Sequence, residues 1–241
     1  MPRPRTRLLA ALLLVLAVAL GWAMLSRPAE VQRPVGLFTS LPILWGEGKE
    51  LGDLLSKDHP QHWAKAELAA LGPIRPLDTL EHLSPDLKRL VIAQPRPLSP
   101  AENVALDNWV RGGGQLLLLA DPLLTEESSY PLGDKRRPQD VVLLSPILTR
   151  WGLELTFDEA QRAGLRVVAA GGVAVPVDLA GAWRTTNPQC QLEAQALLAV
   201  CQVGQGRVLA LADAEIAATS DADGLRQPAF AGLLRRAFAN P

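Results

Sequence analysis

The chain is poor in the side chains that most often do chemistry. Its 241 residues include three histidines, His59, His62 and His82, and two cysteines, Cys190 and Cys201. No CxxC pair accompanies a histidine, which excludes the common zinc and dithiol motifs. His59 and His62 stand three apart in "DHPQHW", but Pro60 lies between them and no third ligand is evident. An exposed loop before a helix is the simpler reading. There is no G-x-S-x-G serine elbow and no G-K-[ST] phosphate loop, and no cofactor is expected. Charge of one sign is lacking too. The formal net charge is −1, and the one Lys/Arg run, "GDKRRPQ", sits among loop-forming residues. A general pull on nucleic acid is thereby excluded.

Apolar residues, by contrast, are concentrated at the N-terminus. "MPRPRTR" carries Arg3, Arg5 and Arg7, after which Leu8 to Leu25 holds no charge. Such a run rises roughly 27 Å as a helix, close to the hydrocarbon thickness of a bilayer. Arginines before it, and the near-cancelling Arg27, Glu30 and Arg33 after it, orient the N-terminus to the cytoplasm. The expected organisation is a basic stub (1–7), a transmembrane signal-anchor (8–26), a linker (27–34) and an extracytoplasmic α/β domain (35–241). The setting is a bacterial inner membrane crossed once. A signal peptide cleaved after "GWA" (Gly21 to Ala23) is the rival reading, although Met24 and Leu25 prolong the apolar run. Either way the remainder faces an oxidising compartment, where Cys190 and Cys201 are expected to pair. The intervening "QLEAQALLAV" would turn near Ala194-Gln195 and bring them opposite each other.

The remainder alternates strand and helix. "VGLFTSLP" reads as a buried strand and turn, "QHWAKAELAAL" as a helix stopped by Gly72-Pro73, and Leu90 to Ala93 as a short strand. Ser99, Pro100 and Glu102 form a capping box that starts a helix. Gly112 to Gly114 end it with left-handed conformations, and "QLLLLA" follows as a strand of the kind buried on both faces of a parallel sheet. "LSPILTRWGLEL" repeats the helix–glycine–strand order. Two hairpins follow, one around Gly171-Gly172 and one at Gly204-Gln205-Gly206, and "PAFAGLLRRAF" closes the chain as an amphipathic helix. The pattern predicts a flavodoxin-like α/β fold, mostly parallel, with helices on both faces and an antiparallel excursion.

One echo singles out candidate site residues. "GGGQLLLLADP" and "GQGRVLALADA" each describe a core strand that delivers an aspartate, Asp121 or Asp213, at its C-terminal end. Ligands bind at that end of open α/β sheets. The pair could hold a cation or work as acid and base, or each could cap the turn that follows it. Trp45 and Glu47, after the first strand, could line the same cleft. The glycine triplet itself is no phosphate loop, because the helix precedes it and the strand follows.

"LVIAQPRPLSPAENVALDNWVRGGGQLLLLADPL", with "LSPILTRWGLEL" and "VGQGRVLALADAEI", resembles the GldG-like auxiliary proteins of ABC-type transport systems and related membrane-anchored domains of unknown function. The resemblance spans roughly Leu90 to Glu215. It implies a class I glutamine amidotransferase-like domain whose partner is an ABC-type transporter or envelope protein. The elbow of such domains falls at Ala93-Gln94-Pro95, where this chain has no cysteine and no following histidine. That implies a binding or scaffolding derivative. A metal-dependent hydrolase using Asp121 and Asp213 is the alternative.

Overall fold

A computed structural model describes residues 33–45 and 62–239. The signal-anchor, Glu47 and His59 lie outside the described residues, among which no helix is long and apolar enough to cross a membrane.

Among the described residues seven strands form the central sheet, in the order β2-β1-β3-β4-β11-β10-β9, with β9 at Cys190–Glu193 and β10 at Leu198–Val203. Five of them run parallel: β1 (Val35–Thr39), β2 (Ile74–Pro76), β3 (Arg89–Ala93), β4 (Gln115–Leu119) and β11 (Gly206–Leu211). Their residues explain the arrangement. Leu116 to Leu119 and Val208 to Leu211 are all within 1% of full burial, as expected of strands covered on both faces. Helix α1 (Trp63–Leu71) packs on α4 (Arg226–Ala237), where the Trp63 ring meets Phe230 edge-on at 5.7 Å. Helix α2 (Pro100–Arg111) packs on α3 (Ser145–Arg150).

Helix α2 starts as its sequence dictates. Ser99 caps the Glu102 amide at 3.1 Å while the Glu102 carboxylate accepts from the Ser99 amide at 2.8 Å. Its end departs from expectation. Of the three glycines only Gly113 is left-handed, at φ 100°. Gly114 is needed for another reason: a Cβ there would sit 2.4 Å from the Trp109 ring.

The second half is antiparallel. β10 (Leu198–Val203) pairs with β11 on one side and with β9 (Cys190–Glu193) on the other. Cys190 and Cys201 stand directly opposite in that register and form a disulfide. The turn between them, Ala194 to Ala196, is left-handed at all three residues. β6 (Arg166–Ala170) and β7 (Val173–Val177) make a separate hairpin. β5 (Leu153–Thr156), expected to continue the helix–strand repeat, instead pairs antiparallel with β8 (Ala182–Thr185), a strand the apolar pattern does not announce. Burial explains the exchange. β11 is apolar on both faces and takes the doubly covered place beside β4, whereas β5 alternates, with Leu153 buried and Glu154 exposed.

Candidate functional site

The two echoing segments lie side by side. Gln115 pairs with Arg207 and Leu119 with Leu211, so the motifs are aligned residue for residue on adjacent parallel strands. The Ala120 amide donates to the Leu211 carbonyl at 3.0 Å, which carries the alignment past the strand ends. Asp121 and Asp213 therefore end both strands on one rim, 1% and 0% exposed.

All four carboxylate oxygens accept backbone N–H groups. In Asp121, Oδ1 takes the Leu123 amide at 2.8 Å and Oδ2 the Ala214 amide at 3.2 Å. In Asp213, Oδ1 takes the Glu215 amide at 2.7 Å and Oδ2 the Asp178 amide at 3.2 Å. Both cap the turns that follow their strands, and Asp121 also bridges to the neighbouring strand. Burial raises both acids. Asp121 is pushed up to about 6 by desolvation, against the pull of its two amide donors. Asp213 is raised well above the usual carboxylate range by desolvation and then by the charge of Asp121. Buried like charges cannot both ionise cheaply, so the pair resists full deprotonation. Glu215 adds negative charge but is itself ion-paired with the buried Arg226.

Next to this pair lies the point where strand order reverses, between β1 and β3, the usual ligand crevice of an open α/β sheet. Here it is tied shut. Gln94, fully buried just after β3, has φ 42°. Its Oε1 accepts the Asp121 amide at 2.9 Å, and its Nε2 donates to the carbonyls of Asp121 at 3.2 Å and Gln139 at 2.8 Å. Ser40, following β1, donates its hydroxyl to the Gln94 carbonyl and accepts the Gln139 amide at 3.0 Å. Gln139 thus spans the crevice from a long loop. Neither Ser40 nor Gln139 stands out in the sequence, because the reach of a loop leaves no periodic signal.

The remaining candidates lie elsewhere. Trp45 is 81% exposed, unlike the buried aspartates. His62 caps α1, its Nδ1 accepting the Ala64 amide at 3.2 Å. Burial lowers its pKa. Among the described residues no group of three or more His, Cys, Asp or Glu side chains could hold a metal ion.

No protein-family model and no curated protein matches the chain. Solved structures do resemble it. The exo-β-1,4-mannosidase Op5Man5 from Opitutaceae bacterium strain TAV5 matches with a TM-score of 0.52 and 17% identity, over 92% of this chain and 39% of that one. A catalytic mutant of Gan42B, a GH42 β-galactosidase from G. stearothermophilus, matches at 0.51 and 16%, over 87% and 30%. This chain spans less than two-fifths of either protein, and the likeness is one of fold.

Proposed function

We propose that the chain is a non-catalytic binding or scaffolding domain, anchored through residues 8–26 and accessory to an ABC-type transport or envelope system. Its sheet is read as flavodoxin-like: β2-β1-β3-β4-β11 follows the strand order 2-1-3-4-5. One observation carries the reading. Where the resemblance would put an amidotransferase elbow, Ala93-Gln94-Pro95, the left-handed residue is Gln94, and its whole amide is engaged by main chain. A nucleophile is missing and the crevice it would serve is closed. The GldG-like resemblance of Leu90 to Glu215 supplies the partner class.

The raised Asp121 carboxyl favours a second reading, a hydrolase using Asp121 and Asp213, since shifted acids gather at catalytic sites. Against it, every oxygen of the two already accepts an amide.

In-membrane crosslinking of the full chain, followed by affinity capture, tests the first reading. Recovery of a transporter or envelope protein is expected, and capture of none overturns it. Ca²⁺ or Mg²⁺ raising the melting temperature of the wild type, but not of Asp121→Asn, would move the assignment to the second.

A further inference from the structure

We infer that an arginine-lined cleft between β5, β6 and β8 binds a small phosphate-type oxyanion, a phosphomonoester or a diphosphate. The cleft has a volume of about 570 Å³, within the range of small-ligand sites. Arg162, Arg166 and Arg184 line it, from the β5–β6 loop, β6 and β8 respectively.

These arginines line one cleft and, like Arg33, Arg89, Arg207 and Arg235, are in no ion pair among the described residues. Arg75, Arg96, Arg111, Arg136, Arg137, Arg150, Arg226 and Arg236 each hold a carboxylate. Glu154 stands opposite Arg184 in the β5–β8 register without pairing to it. Among the described residues Arg166 reaches the side-chain Oε1 of Gln161 alone, at 3.5 Å. Asp158 is the one carboxylate in the lining, and its Oδ1 accepts the Ala160 amide at 2.9 Å. In the lining three cations face one anion, or two with Glu154 across from Arg184, so the cleft is short of at least one negative charge in a protein whose net charge is −1.

The walls are fixed. Gln161 Nε2 donates to the Ala180 carbonyl at 2.9 Å, the Gly164 amide to Asp178 Oδ1 at 2.8 Å, and Thr156 Oγ1 to the Ala182 carbonyl at 2.9 Å. Gly181 lines the cleft where a Cβ would sit 2.8 Å from Leu155 Cδ1 and 2.9 Å from the Thr156 carbonyl oxygen, so only glycine allows that approach. Its amide donates to the Ala212 carbonyl at 2.7 Å, which sets the back wall against the carboxyl-end rim of the parallel sheet. The excess of guanidinium groups then favours one ligand class. A carboxylate offers two oxygens, enough for one guanidinium fork, whereas a phosphoryl group offers three and a diphosphate more.

The inference is independent of a partner-binding role, since anion binding and partner capture can each hold without the other. Isothermal titration of the full-length, detergent-solubilised chain with inorganic pyrophosphate tests it, with glycerol 3-phosphate as a second probe. Saturable binding is expected, weakened about tenfold or more by Arg166→Gln or by Arg184→Gln. Arg166→Gln/Arg184→Gln should bind neither probe, while Arg235→Gln on α4 should bind as wild type does. Tighter pyrophosphate binding identifies a diphosphate, and equal binding a phosphomonoester. All these arginines are exposed, and an unchanged thermal unfolding profile confirms that the variants fold. Absence of saturable binding to the wild type overturns the inference. So does undiminished binding by the double variant, or equal loss in Arg235→Gln.

Discussion

The parallel and antiparallel halves of this molecule use charge in opposite ways. On the parallel side, Asp121 and Asp213 are buried and every oxygen is answered by an amide. On the antiparallel side, Arg162, Arg166 and Arg184 are exposed and lack a carboxylate partner among the described residues. A buried charge without partners is too costly to keep, so the rim had to satisfy itself and thereby closed. Exposed guanidiniums carry no such penalty and can stay open for a ligand. Placement on a ligand-binding rim is therefore weaker guidance than whether the polar groups there are already engaged.

Packing gives the widest gap between the halves. Leu117→Ala, in a strand covered on both faces, should cost about 3–5 kcal/mol in denaturant unfolding. Val167→Ala, on the half-exposed β6, should stay within about 0.5 kcal/mol. Comparable losses would mean that the β6–β7 hairpin is buried in solution. Reducing the disulfide comes next. Cys190–Cys201 holds the edge strand β9 to β10, and its removal as Cys190→Ser/Cys201→Ser should cost about 2–4 kcal/mol. A smaller cost would show that the ladder alone holds the edge.

Gln94 tests the closed crevice. Gln94→Ala strands the Asp121 amide and two carbonyls, at about 2–3 kcal/mol. Gln94→Gly should cost roughly 1 kcal/mol less, because glycine relieves the left-handed backbone. Equal losses would remove backbone conformation from the account.

How much of this was legible follows from the kind of signal each part leaves. Strands β3, β4 and β11 read as apolar runs because both faces are covered. The Ser99–Glu102 box and the Cys190–Cys201 hairpin carry local residue codes, and the paired "LAD" motifs placed two aspartates on one rim. The crevice closure was not legible, since Gln94, Ser40 and Gln139 meet only through a loop. The basic groups of the cleft were the least legible. Lys135 to Arg137 are contiguous and conspicuous, yet Arg136 and Arg137 are engaged by Asp134 and Asp140. Arg162, Arg166 and Arg184 are scattered along the chain, and only the pairing of β5 with β8 and the β6 hairpin gathers them. Strand β8 escaped because Trp183 is its only large apolar residue.

The smallest expected effect is a pH dependence. Asp121 holds its proton to about 6 in the folded protein against an ordinary value of 3.8. The folded state therefore binds more protons between those values, and stability falls as pH rises through about 4 to 6, by on the order of 2 kcal/mol. Glu102 acts oppositely. Held down to about 2, first by its hydrogen bonds from Arg96, it contributes stability that is lost as pH falls below about 4.5. The two opposed effects cancel at about pH 4, and Asp121→Asn should make the fall between about pH 4 and 6 shallower. Because the lowered His62 pKa pushes stability up with pH in the same window, the difference between the two proteins is decisive: equal slopes for wild type and Asp121→Asn between about pH 4 and 6 would contradict the raised carboxyl.

The contrast between a closed rim and an open cleft is tested most directly by one pyrophosphate titration on three proteins. Wild type and Asp121→Asn should bind alike, and Arg166→Gln/Arg184→Gln should not bind. Loss of binding in Asp121→Asn, with binding kept in the arginine variant, would place recognition at the aspartate rim and contradict the account.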